Sequence, residues 1–293
     1  MDAEADEMRG RVCLITGGSS GVGKAVARGL ARRGAQLVLL ARGEPRLELA
    51  RGEIFGIVPE AQVETVSVDL GDFDAVRRFA AAFAGRQRAL HVLLNGAGAA
   101  EAERKVSPQG YELTLSTEFL GHFLLTALLL PLLKKGAPAR VLTPVGNVTP
   151  LYLAQIELED LQLERRYSWV RAKLQAALAK TLFTFELARR LAGSGVTANA
   201  FHPGLVCSSL TEHLPWFLRL PARAGNFLLS TESPTGVYLA SSREVGERSG
   251  RYFEGYREVA FTPGRYRPSA LAARLWEVAE ELTGLKVEAS KTA

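Results

Sequence analysis

The sequence predicts an α/β fold: one domain built on a doubly wound, mostly parallel sheet of seven strands, with helices on both faces and a lid segment. Three observations carry that prediction. From Arg11 onward, short apolar runs alternate with stretches of helical length, the rhythm of parallel strands joined by helical crossovers. The runs are near-continuously apolar, as strands buried on both faces are. The chain has 293 residues, 47% hydrophobic and 23% charged, which suits one large domain, and no internal repeat or low-complexity linker divides it.

Each element follows in order. The first strand, "VCLIT", leads to a helix from Gly21 to Arg33; "QLVLLA" leads to a helix from Pro45; "VETVSVDL" leads to a helix from Phe73 to Gly85. The strands "LHVLLNGAG" (90 to 98), "ARVLTPVG" (139 to 146) and "VTANAFHPG" (196 to 204) continue the series. Between them lie the fourth and fifth helices, roughly 109 to 135 and 167 to 192. After Gly204 the rhythm breaks. Prolines mixed with Trp216, Phe217 and Phe227 are too irregular for a sheet element and read as a substrate-covering lid over about 208–230. A helix near Ser233 to Ser241, a short strand near "GRYFE" and an amphipathic helix "SALAARLWEVAEELTG" close the domain. It spans 11–285, between an acidic N-terminal tail (1–10) and a C-terminal tail (286–293).

Composition narrows the function classes. The longest apolar run, Phe123 to Leu133, falls short of the roughly 18 residues needed to span a bilayer and ends at Lys134 and Lys135, so it reads as a core helix. The opening "MDAEADEMRGR" lacks the basic-then-apolar order of a signal peptide, and a cytoplasmic location is expected. The net charge of +5 comes from arginines scattered along helices, which fits solvated faces better than nucleic acid. Cys13 and Cys207 have no disulfide or metal spacing, and the four histidines share no helical face, so no metal is expected.

Chemistry concentrates at two places. After the first strand comes "TGGSSGVGKAVARGLARRG", with Gly17, Gly21 and Gly23 where strand gives way to helix. Glycines there let the backbone approach a pyrophosphate held at the positive helix end. Their spacing, G-x-x-x-G-x-G, resembles the short-chain dehydrogenase/reductase family, a Rossmann-type fold. Asp69-Leu70, "NGAG" (95 to 98), Lys173 and "HPG" (202 to 204) agree in order and place. "KTLFTFELARRLAGSGVTANAFHPGLV", "FLGHFLLTALLLPLLK" and "GRYF" are similar to the retinol dehydrogenase-like branch. The resemblance implies that Gly17, Ser19, Ser20, Gly21, Val22 and Gly23 meet the phosphates, and that Asp69 and Leu70 meet the adenine. Asn95, Gly96 and Ala97 would flank the ribose, and Pro203, Gly204 and Val206 the nicotinamide. The second strand ends "LLARGEP", without the acidic residue that would bind a free ribose 2′-hydroxyl, while Arg42 offers a planar cation to a 2′-phosphate. NADP(H) is therefore the expected cofactor; an exposed surface arginine is the competing account of Arg42.

The chemical end departs from the pattern. The family's catalytic set is Asn, Ser, Tyr and Lys, with the last two spaced Y-x-x-x-K. Four residues along a helix put two side chains on one face about 6 Å apart at their bases, so an ammonium can favour a phenolate that moves a proton. Counting back from Lys173 reaches Trp169, whose indole cannot act as a titrating acid. "RVLTPVG" puts Gly146 where the serine belongs, and "TEFLGHF" puts Glu118 at the asparagine. Tyr167 is rotated far around the helix from Lys173, and Tyr152 is assigned to a loop. The resemblance gives Lys173 a role on the nicotinamide ribose. Glu118 and Lys173 are expected to form the remaining polar pair over an apolar floor made by Trp169. Burial would raise the carboxyl pKa and the ammonium would lower it, so the sign stays open, and a structural ion pair is the plainer reading.

Three functions follow from these residues. The first is an atypical NADP(H)-dependent oxidoreductase acting on a hydrophobic carbonyl or alkene without the Ser-Tyr proton relay. The second is a redox-neutral cyclase or isomerase of specialised metabolism using the same pocket. The third is a non-catalytic NADP(H)-binding scaffold. A homodimer or homotetramer through the fourth and fifth helices is an expectation from the family and from their apolar faces.

Overall fold

The computed structural model describes residues 7–98, 101–204, 231–261 and 268–287. Eight strands form one sheet: β1 (Val12–Thr16), β2 (Gln36–Ala41), β3 (Gln62–Ser67), β4 (Val92–Leu94), β5 (Ala139–Pro144), β6 (Val196–His202), β7 (Tyr252–Glu254) and β8 (Arg257–Val259). Their order is β3-β2-β1-β4-β5-β6-β7-β8, parallel throughout except for the final pair. The connections reverse direction between β1 and β4, which opens a crevice at the carboxyl ends of these strands.

Strand periodicity divides the apolar residues between two layers. Cys13, Ile15, Leu37 and Leu39 face the layer of α1 (Gly21–Ala31), α2 (Glu44–Phe55) and α7 (Pro234–Ser241). Leu14, Val38, Leu40 and Leu93 face the layer of α3 (Phe73–Arg86), α4 (Leu113–Lys135), α6 (Trp169–Arg190) and α8 (Pro268–Thr283). Both faces of the central strands are thus buried, the physical reason that their sequences read as unbroken apolar runs.

Helix α4 is long and apolar enough to cross a bilayer by length and composition, with mean hydropathy 1.5 over its most apolar window, but 83% of that window is buried within the chain. It is a core helix. Helix α8 covers the seam between α4 and α6. There Trp276 stacks on Phe183 at 5.8 Å, meets Phe123 edge-on at 5.0 Å, and lies under the Arg190 guanidinium at 4.3 Å. The surplus apolar surface that the sequence shows on α4 and α6 is therefore used within this chain.

Two details correct the sequence reading. The sheet has eight strands, because Gly255 turns the chain at φ +59° and sends Arg257–Val259 back against β7. Arg257 and Glu258 are exposed, so β8 is a charged edge with no apolar signature. Tyr152 lies in a short helix, α5 (Val148–Leu153), started by Asn147, whose side-chain oxygen accepts the Thr149 N–H at 2.8 Å. The expected lid, with Trp216, Phe217 and Phe227, falls outside the described residues, as do Val206 and Cys207.

Candidate active site

A cleft of about 970 Å³ opens at the carboxyl ends of the parallel strands. Its first wall is the β1–α1 turn. Gly17 and Gly21 hold φ of +70° and +51°, a region that side chains with a Cβ avoid. A Cβ on Gly23 would stand 2.4 Å from the Gly17 carbonyl oxygen, so helix and turn approach in a way only glycine permits. Ser20 begins α1 with extended backbone and no side-chain bond to the first turn, which also carries no acid. Ser19, Ser20, Gly21 and Val22 line the cleft, and the positive end of the 11-residue helix faces into it.

Thr16, at the tip of β1, ties this wall to the next. Its Oγ1 accepts the N–H groups of Gly96 at 2.8 Å and Ala97 at 3.0 Å, and lies 2.8 Å from His122 Nε2. His122 Nδ1 lies 2.8 Å from the Glu118 carbonyl oxygen, which can only accept. Nδ1 therefore carries the ring proton and Nε2 can only accept, so the single Thr16 hydroxyl proton is shared between Nε2 and the Leu94 carbonyl oxygen at 3.1 Å. Burial, followed by the positive charge of Lys180, pushes His122 down to about 4, so it is neutral at pH 7. Gly96 and Ala97 line the cleft, whereas Asn95 is fully buried behind the wall, its amide nitrogen donating to Thr126 Oγ1 at 3.1 Å.

Asp69 and Leu70 line the far end, the Asp69 carboxylate fixed by the Gly71 N–H at 2.8 Å. Beside them the buried Thr117 hydroxyl has no hydrogen-bond partner among the described residues and borders the cleft. Arg42, at the end of β2, lines the same end together with Arg46, both exposed. A cleft with a glycine cradle, a helix N-terminus, an orphaned hydroxyl and two guanidinium groups fits a dinucleotide.

At the opposite end Glu118 sits in a π-helical segment of α4, Ser116–Leu120, an irregularity often found at functional sites. Its carboxylate bridges two ammonium groups of α6: one oxygen bonds Lys173 Nζ, and the other lies 3.2 Å from Lys180 Nζ. Burial pushes the Glu118 carboxyl up, but Lys173 and Lys180 together outweigh it and hold it down to about 2. The open sign is thus resolved: Glu118 is a carboxylate at neutral pH. Lys180 is lowered from the usual lysine value, chiefly by burial, with Glu118 opposing. It also donates to the Pro144 carbonyl at 3.4 Å. Gly98 packs against the pair, where a Cβ would be 3.2 Å from Glu118 Oε1.

Lys173, Leu174, Ala177 and Lys180 line the cleft, with Gly146, His202, Pro203 and Gly204 opposite. Trp169 is the first residue of α6, is half-buried, and is not among the lining residues. Three of the described tyrosines already donate to backbone carbonyls. Tyr167 donates to the Glu101 carbonyl at 2.8 Å, Tyr152 to Ala260 at 3.4 Å, and Tyr252, whose acidity is weakened by burial and then by Glu254, to Gly146 at 2.8 Å. Sequence reasoning missed Lys180, Thr117 and Arg46. Lys180 alone left a usable sign: it stands seven residues, about two turns, beyond Lys173, on the same face.

Residues 11–147 match the short chain dehydrogenase family. Human retinol dehydrogenase 12 is 39% identical over 291 residues, covering 96% of this chain and 89% of that protein. A solved structure of an uncharacterized protein from Mycobacterium paratuberculosis is 34% identical, covers 96% of both chains and has a TM-score of 0.74. The Pseudomonas aeruginosa RhlG/NADP active-site complex has a TM-score of 0.63 at 22% identity, covering 86% of this chain and 97% of that one, a likeness of fold.

Proposed function

Because the chain belongs to the short-chain dehydrogenases, on the retinol dehydrogenase-like side of that family, we propose that it is an NADP(H)-dependent oxidoreductase for a hydrophobic carbonyl or alkene. It works without the usual serine and tyrosine. The observation that carries this reading is a single cleft with nucleotide-binding features at one end and the Lys173–Glu118–Lys180 cluster at the other. Gly17 to Val22 would hold the pyrophosphate, Asp69, Leu70 and Thr117 the adenine end, and Arg42 with Arg46 a 2′-phosphate. Gly96, Ala97, Pro203 and Gly204 would border the ribose and nicotinamide. The cofactor, when bound, supplies or accepts a hydride. The chain's own residues orient the acceptor and govern its proton. Retinol dehydrogenase relatives and an NADP-bound fold neighbour support a lipophilic substrate and the phosphorylated cofactor.

The test is a panel of retinal, medium-chain aldehydes, enals and quinones with NADPH and NADH. NADPH should be consumed with at least one compound, and Arg42→Ser should weaken NADPH binding about tenfold while leaving NADH binding nearly unchanged. Inertness across the panel would count against the oxidoreductase reading. A second reading, an NADP(H)-binding protein without turnover, draws on Gly146 and on the cleft-lining helix residues Lys173, Leu174, Ala177 and Lys180, none of which carries a hydroxyl. It predicts tight NADPH binding with no consumption. Conversion of a substrate without change in NADPH absorbance would instead mark a redox-neutral enzyme.

A further inference from the structure

Exposure is graded across the charged cluster: the Lys173 side chain is 23% exposed, Lys180 7% and Glu118 2%. Among the described residues, one carboxylate holds two ammonium groups, a net charge of +1 in a largely buried place. Burying that excess charge costs free energy, and transfer of one proton out of the cluster relieves it. Both ammonium groups line the cleft, and the more exposed of them, Lys173, is the outlet.

Helix geometry points to the same residue. The α6 positions lining the cleft are 173, 174, 177 and 180, whereas Trp169 does not line it. The pair of cleft-lining positions four residues apart is therefore Lys173 and Ala177, one turn later than the sequence spacing of Trp169 and Lys173 had placed it. Ala177 leaves room beside Lys173, and Lys180, leaning toward the helix N-terminus as helical side chains do, brings a second cation back toward that space. His122 secures the other partner. Its Nδ1–H donates to the Glu118 carbonyl, fixing the π-helical turn from which that carboxylate projects.

We propose that Lys173 is the proton donor to the substrate oxygen in reduction, with Glu118 and Lys180 as its positioning residues. This rests on the oxidoreductase reading given above. In reduction, the carbonyl carbon takes a hydride from the reduced nicotinamide dinucleotide. The new O–H bond forms with a proton leaving Lys173 Nζ, whose neutral amine is reprotonated from solvent through the open cleft. The carbonyl becomes an alcohol and the dihydronicotinamide is oxidised. In the reverse direction the neutral amine accepts the hydroxyl proton. Among the described residues, the titratable and charged groups lining the same cleft are Glu118, Lys180, His202, Asp69, Arg42 and Arg46. Of these, Glu118 bonds Lys173, and Lys180 acts on it through charge.

The test uses two readouts on the whole protein. The first is nucleotide-free: Lys173 is labelled with a small aldehyde and cyanoborohydride across pH, and the modified peptide is quantified by mass spectrometry. Lys180→Met removes a neighbouring cation and should move the labelling midpoint to higher pH; Lys180→Arg, which keeps the charge, should leave it near wild type. Glu118→Gln should move it to lower pH. If that variant unfolds around an unpaired Lys180, the double variant Glu118→Gln with Lys180→Met replaces it. The second readout is carbonyl reduction, where Lys173→Met should lower kcat at least 100-fold, well beyond any loss of NADPH affinity read by fluorescence. The alkaline limb of the wild-type pH profile should follow the labelling midpoint.

A Lys173 labelling curve unmoved by Lys180→Met, or near wild-type kcat in Lys173→Met, overturns the proposal. Failure of the wider reading looks different. A wild type that reduces no compound in the panel, yet shows the shifted labelling curves, supports the coupled cluster and counts against the oxidoreductase.

Discussion

Glu118 shows why a residue's role depends on what its neighbours do to its charge. A buried carboxyl standing alone is pushed toward the neutral acid, but here two lysines hold it ionised. His122 is the opposite case, a buried imidazole kept neutral. Its depressed pKa gives a stability effect of definite sign. As pH falls below about 6.5 the unfolded chain takes up a proton that the folded chain refuses until about 4, so stability is present above that window and is lost through it. The loss amounts to about 3 kcal/mol. His91, also lowered by burial, adds to it with the same sign, and Glu118 adds a further loss below about 4.5. Urea midpoints measured from pH 7.5 to 4.5 should fall steadily. His122→Asn, which keeps an N–H for the Glu118 carbonyl but cannot charge, should flatten much of that fall; an unchanged slope would contradict the buried neutral assignment.

At the scale of elements, what was legible depended on whether burial left a pattern. Strands β1, β2, β4, β5 and β6 announced themselves because both their faces are covered. Strand β8 did not, since its arginine and glutamate face water, and α5 is a single short turn marked mainly by its Asn147 cap. Gly146 and Glu118 were located from the resemblance to the family's strand and helix motifs, but the inward reach of Lys180 needed the helix to be seen against α4. The position of Trp169 at the first turn of α6, away from the cleft lining, likewise follows from where the helix starts and which face it turns inward. Helix α8 seals the α4–α6 seam through a tryptophan only 2% exposed. Trp276→Ala should therefore cost about 3–5 kcal/mol in urea unfolding, with NADPH affinity of the folded protein unchanged. A cost below 1 kcal/mol would show that α8 is not part of the cooperative core.

At the scale of the whole molecule, the order of strands places both halves of the site without further design. The reversal between β1 and β4 brings the glycine turn of the first crossover beside the loop after β4, while α4 and α6 carry their charged residues to the same edge. The cleft is thus an outcome of topology, and the chemistry within it is an outcome of substitutions at a few positions on that frame. The central claim is that hydride transfer survives the loss of the serine and tyrosine. It is tested most directly with NADPH carrying deuterium at C4, incubated with the purified protein and the aldehyde panel, followed by mass spectrometry of the products. The account predicts an alcohol carrying one deuterium at the former carbonyl carbon. Tight NADPH binding with no deuterated product from any member of the panel would contradict it.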